Sequence, residues 1–403
     1  MPVASNAQAG PLSHLRVLDL TQFLSGPFAT QILGDLGAEI IKIEAPEGDM
    51  TRRLPPHFVA GDSAYFLSVN RNKKSLAVDM KTSAGQKLVR DLALASDVVI
   101  ENFRPGVLAR LGLRYEDIAA EKPGIVWASI SGFGQDGPYR DRPAYDMIVQ
   151  ALSGGMSITG EPDGKPVRSG IPLGDLASGL YAVIGVLAAL AERQVTDRGR
   201  YVDVSMLDCQ IAMLSYQAAY YLQSGQVPLR QGSGHDSIPT YRSFECEGGD
   251  NLVITANTER MWARLCGVLG LDELVSDPRF KTNADRYQHR HELWAILEER
   301  FLTKKAEDWV QMLVEREVPA AVVNTLDRSL SDPQVLHRNM VLSLEREDGV
   351  QVRVAGNPIK FPGGQERHTY PPSLTGREAD ILGPVLGLDG AAIEALRQSG
   401  ALG

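Results

Sequence analysis

The sequence predicts an α/β fold: a mostly parallel sheet covered by helices, joined to a smaller α+β region. Three observations carry this. Short apolar runs alternate with stretches of helical spacing through the first half, and a long apolar helix then leads into one more strand. A cluster of Pro, Gly and Ser over Gly225–Pro239 separates this half from a region with its own strand pair and helices. Strand–helix alternation belongs to parallel sheets, whose right-handed crossovers gather the strand C-termini on one edge. Ligands sit along that edge, so the residues following each strand are those to read for function.

In chain order, strands are expected at Arg16–Leu20, Glu39–Glu44, Ser75–Asp79, Asp97–Glu101 and Ile125–Ser129. Helical spacing covers Pro27–Leu36 and Ala84–Ser96, with Thr82 or Ser83 as the cap of the second. The long apolar helix runs from about Leu176 to Gln194, a strand follows at Arg200–Met206, and a helical stretch from about Asp208 to Ser224 bridges out of the first domain. Beyond the Gly225–Pro239 loop, a strand pair is expected within Tyr241–Thr255, and helices near Glu259–Val268, Arg286–Leu302 and Ala306–Glu315. After Met340 come short strands, turns at Asn357-Pro358 and Phe361-Pro362-Gly363-Gly364, and a weak helix near Ala391–Gln398.

Composition excludes several classes. The chain has 403 residues and a net charge of −9, which argues against nucleic acid or an anionic membrane as partner. Hydrophobic residues make up 43% and charged residues 23%, as in an ordinary globular protein. Three scattered cysteines, Cys209, Cys246 and Cys266, fit a reducing compartment and no disulfide framework. The most apolar stretch, Leu176–Ala191, is about 16 residues and falls short of the roughly 18 expected of a bilayer span. Met1–Gly10 reads as a polar tail with no signal-peptide pattern, so the expectation is a cytoplasmic protein.

Most motif-like stretches fail on chemistry. Gly132-Phe-Gly134-Gln-Asp-Gly137 spells GxGxxG, yet Pro138 and Pro143 prevent the helix that a dinucleotide needs there. Gly160-Glu-Pro-Asp-Gly164-Lys165 is one residue short of a P-loop, and Pro166 stands where the magnesium-binding hydroxyl belongs. His289 and His291 are two apart and point to different sides of a helix, so no metal site is expected. No GxSxG elbow is present.

Arg168–Gly179, leading into the long apolar helix, is different. Asp175 has two readings: the N-cap of that helix, worth about 1 kcal/mol, or a carboxylate nucleophile. On the second reading the helix end keeps it ionised, and Gly174 and Gly179 clear space around it.

Several separated blocks then carry a family resemblance: Val17-Leu-Asp-Leu-Thr21, Gly34–Glu44, Asn70-Arg-Asn-Lys-Lys-Ser75, Glu101-Asn-Phe-Arg-Pro-Gly106, Ser129–Gly134, Gly174-Asp175, and Arg193 with Gly199–Ser205. Together, from about Pro11 to Gly364, the chain resembles the class III CoA-transferases, the group of formyl-CoA transferase and the carnitine CoA-transferase. The resemblance implies a Rossmann-like large domain built from both chain ends, here 11–205 and the return segment 341–403. It further implies a linker over 206–240, a small domain over 241–340, and an interlocked homodimer.

The resemblance makes Asp175 the nucleophile that forms an acyl anhydride and then an aspartyl-CoA thioester. Coenzyme A enters as acyl-CoA substrate, and no permanent cofactor or metal is required. CoA contacts carry over to Leu24, Ser25, Asn70, Asn72, Lys73, Asn102, Phe103, Arg104, Arg110 and Tyr145, with Lys73 or Lys74 able to meet a phosphate. Phe103 reads equally as core packing, and the cations as solvated surface. Ala45 replaces an arginine that formyl-CoA transferase uses, and the glycine-rich lid has its nearest counterpart in Gln231-Gly232-Ser-Gly234-His235. His235 either contacts an acceptor carboxylate or caps a turn. The alternative on the same fold is a 2-methylacyl-CoA racemase, but its base is a histidine where Tyr145 stands, and a tyrosine of ordinary pKa near 10 is a poor base at pH 7. The acids expected are short dicarboxylates, with succinyl-CoA as donor.

Overall fold

The structure is a computed structural model that describes residues 10–363 and 366–403; Met1–Ala9 of the polar tail and Gly364 of the last turn lie outside the described residues. Strands β1 (Arg16–Asp19), β2 (Glu39–Glu44), β3 (Lys73–Ala77), β4 (Val98–Glu101), β5 (Val126–Ser131) and β6 (Tyr201–Ser205) form one sheet in the order β3-β2-β1-β4-β5-β6. All five pairings are parallel. This is the doubly wound order, whose switch point lies between β1 and β4. The third strand starts two residues before the expected Ser75, because the Lys73 ammonium is satisfied inside by Asp19, Asn70 and Pro27 O and no longer interrupts a buried strand.

Helices α1 (Ser25–Asp35), α2 (Ser83–Leu94), α3 (Asp146–Leu152), α4 (Leu173–Thr196), α5 (Met206–Met213) and α6 (Tyr216–Ser224) belong to the first part of the chain, with short helices at Ala64–Val69, Val107–Arg110 and Tyr115–Glu121. Thr82 caps α2 by accepting from Gly85 N. The central helix α4 packs on α1, and a Cβ on Gly179 would stand 2.7 Å from Ser25 O. Ala182, Val183, Val186 and Leu190 of α4 share one core with Ile32 and Leu33 of α1 and Val98, Val126 and Ile130 of the sheet. At 24 residues, with a mean hydropathy of 1.8 in its most apolar window, α4 is long and apolar enough to cross a bilayer by length and composition, half of that window being buried in the protein. The sequence-based length was shorter because the helix also takes in Leu173–Asp175 and its charged end.

The chain divides into two compact units: Met1–Gly155, Arg168–Ser224 and Gln334–Gly403 in the first, Met156–Val167 and Gly225–Pro333 in the second. The expected linker 206–240 is thus divided: 206–224 forms two helices of the first unit, broken between α5 and α6 at Ser215, whose φ is +48°, and 225–240 belongs to the second unit. In the second unit β7 (Tyr241–Glu245), β8 (Asn251–Thr255) and β9 (Ala320–Val322) pair antiparallel in the order β9-β8-β7. Helices α7 (Glu259–Leu269), α8 (Arg290–Phe301) and α9 (Ala306–Glu315) cover them over a core of Trp262, Phe280, Phe301 and Trp309. The helix expected at Arg286–Leu302 is broken at His289, which ends one short helix and precedes α8.

The chain end returns to the first unit as the hairpin β10 (Val341–Glu345) and β11 (Gln351–Ala355), then α10 (Glu378–Leu386) and α11 (Gly390–Gln398). Ile381, Leu382 and Ile393 seal the second face of the main sheet with Leu88, Val99 and Trp127.

Candidate active site

Asp175 is the third residue of α4, not its N-cap. Pro172 holds the cap position and offers no side-chain bond. The capping work falls to Asp146 at the start of α3: its Oδ1 accepts from Gly174 N at 2.7 Å and from Asp175 N at 3.4 Å. Gln150 donates to the other Asp146 oxygen at 2.7 Å and accepts from Ser169 N at 3.0 Å, so one turn of α3 fixes the entry to α4. Two glycine roles differ from expectation. A Cβ on Gly174 would meet Val149 Cγ2 at 2.7 Å and Asp146 Oδ1 at 3.0 Å, and one on Gly179 would meet α1, so both serve helix packing rather than room for a substrate.

This arrangement inverts the electrostatics read from the sequence. Among the described residues the Asp175 carboxylate accepts no hydrogen bond. Burial, and then the Asp146 charge, push its pKa up to about 7. The helix end does not hold it low, because Asp146 already occupies the free amides. The Tyr65 hydroxyl responds to the same acids: burial, then Asp175, Asp49 and Asp146, push it up to about 12. Sequence reasoning missed both Tyr65 and Asp146. An acid at the first turn of a short helix, beside the noted Tyr145, was the available signal for the second.

The switch point is built around Asn102. Its carboxamide accepts from Gln22 N at 2.9 Å and donates to Gln22 O at 2.8 Å, and it reaches Ser25 Oγ at 3.4 Å. Leu24 and Ser25 are buried at the start of α1. Phe103 donates its N–H to Glu101 at 2.7 Å while its ring packs on the core, so the packing reading holds for the ring. Tyr145 is 64% exposed, its ring 5.9 Å from that of Phe23 in an edge contact.

The Asn70–Lys73 block needs correction. Lys73 Nζ is fully buried and donates to Asp19 at 3.1 Å, Pro27 O at 2.9 Å and Asn70 Oδ1 at 2.9 Å, so it does not present a charge to a phosphate. Asn70 is buried with it. Asn72 spends its side chain on Asp35 and on Thr369 N of the return segment, and Lys74 pairs with Glu39 at 2.6 Å. The exposed cations lie elsewhere. Arg104 lines a cavity of about 320 Å³ with Arg114, Arg140, Tyr115, Trp127 and Tyr201. Arg110 and Arg140 flank Gly106: a Cβ there would lie 3.4 Å and 3.8 Å from their guanidinium nitrogens. Arg140 had no sequence signal beyond its charge.

Gly232, Gly234 and His235 belong to the second unit, where Gly234 and His235, but not Gly232, line a separate cavity of about 600 Å³. His235 also shapes a turn: its N–H donates to Tyr241 O at 2.9 Å, its Nδ1 accepts from Ser237 N at 3.2 Å, and its ring stacks on Tyr241.

A doubly wound sheet with a lone carboxylate at the head of its central helix matches the class suggested by the sequence blocks. The profile of CoA-transferase family III matches residues 12–378, and the chain belongs to that family. It is 41% identical over 392 residues to a human succinyl-CoA:glutarate CoA-transferase, covering 97% of this chain and 89% of that protein. It is 39% identical over 380 residues to the succinate–glutarate CoA-transferase of Agrobacterium fabrum, covering 92% and 95%. The crystal structure of a CAIB/BAIF family protein from Brucella suis superposes with a TM-score of 0.84 at 38% identity, over 94% of this chain and 100% of that one. The protein is therefore a family III CoA-transferase whose substrates are an acyl-CoA thioester and a carboxylic acid. The racemase alternative is not favoured.

Proposed function

We propose that the protein moves CoA from succinyl-CoA to a short dicarboxylic acid, with glutarate the first candidate, and that Asp175 carries the acyl and CoA groups in turn. The observation that carries this is the Asp175 carboxylate: at the head of α4, without a hydrogen-bond donor among the described residues, and raised to about 7. A carboxylate of that basicity is a better nucleophile than an ordinary aspartate and is half ionised near neutral pH. An Asp175 oxygen attacks the thioester carbonyl, the C–S bond breaks, and CoA thiolate leaves a mixed anhydride. The thiolate attacks Asp175 Cγ, releasing the donor acid and leaving an aspartyl-CoA thioester. The acceptor carboxylate displaces CoA from Cγ to give a second anhydride, and the thiolate then takes the acceptor acyl group and frees Asp175. No net proton is consumed.

The exposed Arg104 and Arg110 supply charges of the right sign for CoA phosphates, which supports their use in place of the cation missing at Ala45; the half-buried Arg140 beside them already pairs with Asp141 and donates to Gln135 O. A second copy of the chain is the partner we assign to the outer face of α4, where Leu180, Tyr181 and Ile184 are 41–60% exposed beside Met147 and Ile148 of α3. The free and buried state of all three cysteines supports a reducing compartment, and we place the protein in the cytoplasm.

The test incubates the purified protein with succinyl-CoA or acetyl-CoA and a panel of carboxylic acids, reading acyl-CoA species by mass spectrometry beside Asp175→Ala. Glutaryl-CoA that forms only with wild type is the expected result. No exchange with any acid, together with deuterium uptake at the α-carbon of a branched acyl-CoA, would return the reading to the racemase. Light scattering of the eluting protein tests the dimer.

A further inference from the structure

Within the second unit, the cavity of about 600 Å³ is walled by Ser157 and 161–163, residues of the 229–235 loop, Arg242 of β7, and Arg290, His291, Trp294 and Glu298 of α8. Its three arginines differ in what they already hold. Arg230 donates to four backbone carbonyls, including Gly164 O at 2.6 Å and Glu161 O at 3.1 Å, and so builds the wall. Arg290 donates to Tyr287 O at 2.8 Å. The Arg242 guanidinium carbon lies 4.1 Å from the centroid of the Trp294 ring, and the group makes no hydrogen bond among the described residues. Its Nε–H is buried without a partner, and the nearest carboxylate, Glu298, stands off at 3.7 Å. The platform beneath it is fixed, because Trp294 Nε1 donates to Pro239 O at 2.9 Å.

A half-buried guanidinium with open donors on an aromatic face suits a planar, two-oxygen acceptor. The cavity's three carboxylates, Glu161, Asp163 and Glu298, equal its three arginines in number, so the selectivity rests on the one guanidinium with open donors, Arg242. Gly232 sits at φ +60°, a conformation L side chains rarely adopt, and a Cβ there would push the Glu161 carboxylate, 2.8 Å away, aside. Gly234 bridges directly to Arg242.

We propose that this cavity binds the free carboxylate of a short dicarboxylic acid, or of its CoA thioester, through the Arg242 guanidinium over Trp294. The choice of acid rests on the transferase reading; the site rests on the guanidinium. Glu298, half exposed, competes for Arg242 and swings to solvent when the ligand carboxylate arrives.

Isothermal titration calorimetry on the full chain tests this without reading turnover. Glutarate is expected to bind at least tenfold more tightly than its neutral diamide, in line with one charge-assisted pair. Arg242→Gln removes that preference, Arg242→Lys keeps part of it, and Glu298→Gln, an exposed change that leaves the fold intact, tightens glutarate several-fold. Paired titrations with glutaryl-CoA and butyryl-CoA assign the site to the thioester if Arg242→Gln weakens only the former, and to the free acid if both are unaffected. A wild type without the preference, an Arg242→Gln variant that keeps it, or a Glu298→Gln variant that binds glutarate no better overturns the assignment. Lost preference with intact CoA exchange sinks only this site; absent exchange with the preference intact sinks only the transferase reading.

Discussion

Asp19 and Asp175 belong to the same unit and have opposite electrostatic fates. Asp19, at the end of β1, is wholly buried and accepts from Thr21 N at 2.9 Å, Thr21 Oγ1 at 2.5 Å, Thr30 Oγ1 at 2.7 Å and Lys73 Nζ at 3.1 Å. Burial works against its charge, but Lys73, Lys42 and the two threonine hydroxyls outweigh it and hold the carboxyl down to about 2. Asp175 is less enclosed, has no donor among the described residues, faces Asp146, and rises to about 7. Burial alone therefore does not mark a functional acid. What marks it is burial without compensation: the satisfied carboxylate is scaffold, and the unsatisfied one is free to react.

The contrast breaks first at Asp19. Asp19→Ala leaves Lys73 buried beside Lys42 without its counter-charge, and about 3–5 kcal/mol of stability should be lost in urea unfolding. A variant that unfolds at the wild-type midpoint would show that the network does not hold the sheet.

The same comparison predicts the opposite sign at the other acid. A carboxyl raised from 3.8 to about 7 by folding costs nothing below pH 4, destabilises increasingly as pH rises towards 7, and reaches its full effect above it. Asp175→Asn should therefore stabilise the protein by about 2–4 kcal/mol at pH 8 and much less at pH 5. Equal gains at both pH values would break the account.

Asp146→Asn sharpens the account of the nucleophile itself. The amide oxygen still accepts from Gly174 N, so that bond to the helix start is kept while the charge and the bond from Gln150 are lost. The acid limb of the kcat/KM profile should move down by about one pH unit. An unmoved limb would leave burial as the sole cause of the raised pKa.

The smallest effect is expected at the exposed rim. Arg110→Gln should raise the KM for acyl-CoA several-fold at low salt, with kcat unchanged, and the difference should shrink as salt is added.

Much of the fold was legible. Glu39–Glu44 and Ala306–Glu315 fold with the bounds their periodicity gives, because each is a short run with one clear pattern. The helix Glu378–Leu386 was hidden by Pro384 and Gly383 inside it, and Ser215 breaks a stretch whose spacing reads as continuous. At the site, the sequence pointed to Asp175 through its glycine neighbours, for a reason the structure replaces: packing, not access. Lys73 was misread because a lysine at a strand start looks solvated until Asp19, distant in sequence, is brought beneath it. Arg242 carried no signal at all, since its openness depends on Trp294 lying 52 residues away.

The most direct measurement is a single turnover of excess protein with succinyl-CoA and no acceptor, quenched in acid, digested and read by mass spectrometry. The account predicts a CoA thioester on the peptide that contains Asp175, absent from Asp175→Asn and discharged by adding glutarate. An adduct on another peptide, or CoA exchange that survives in Asp175→Asn, would contradict it.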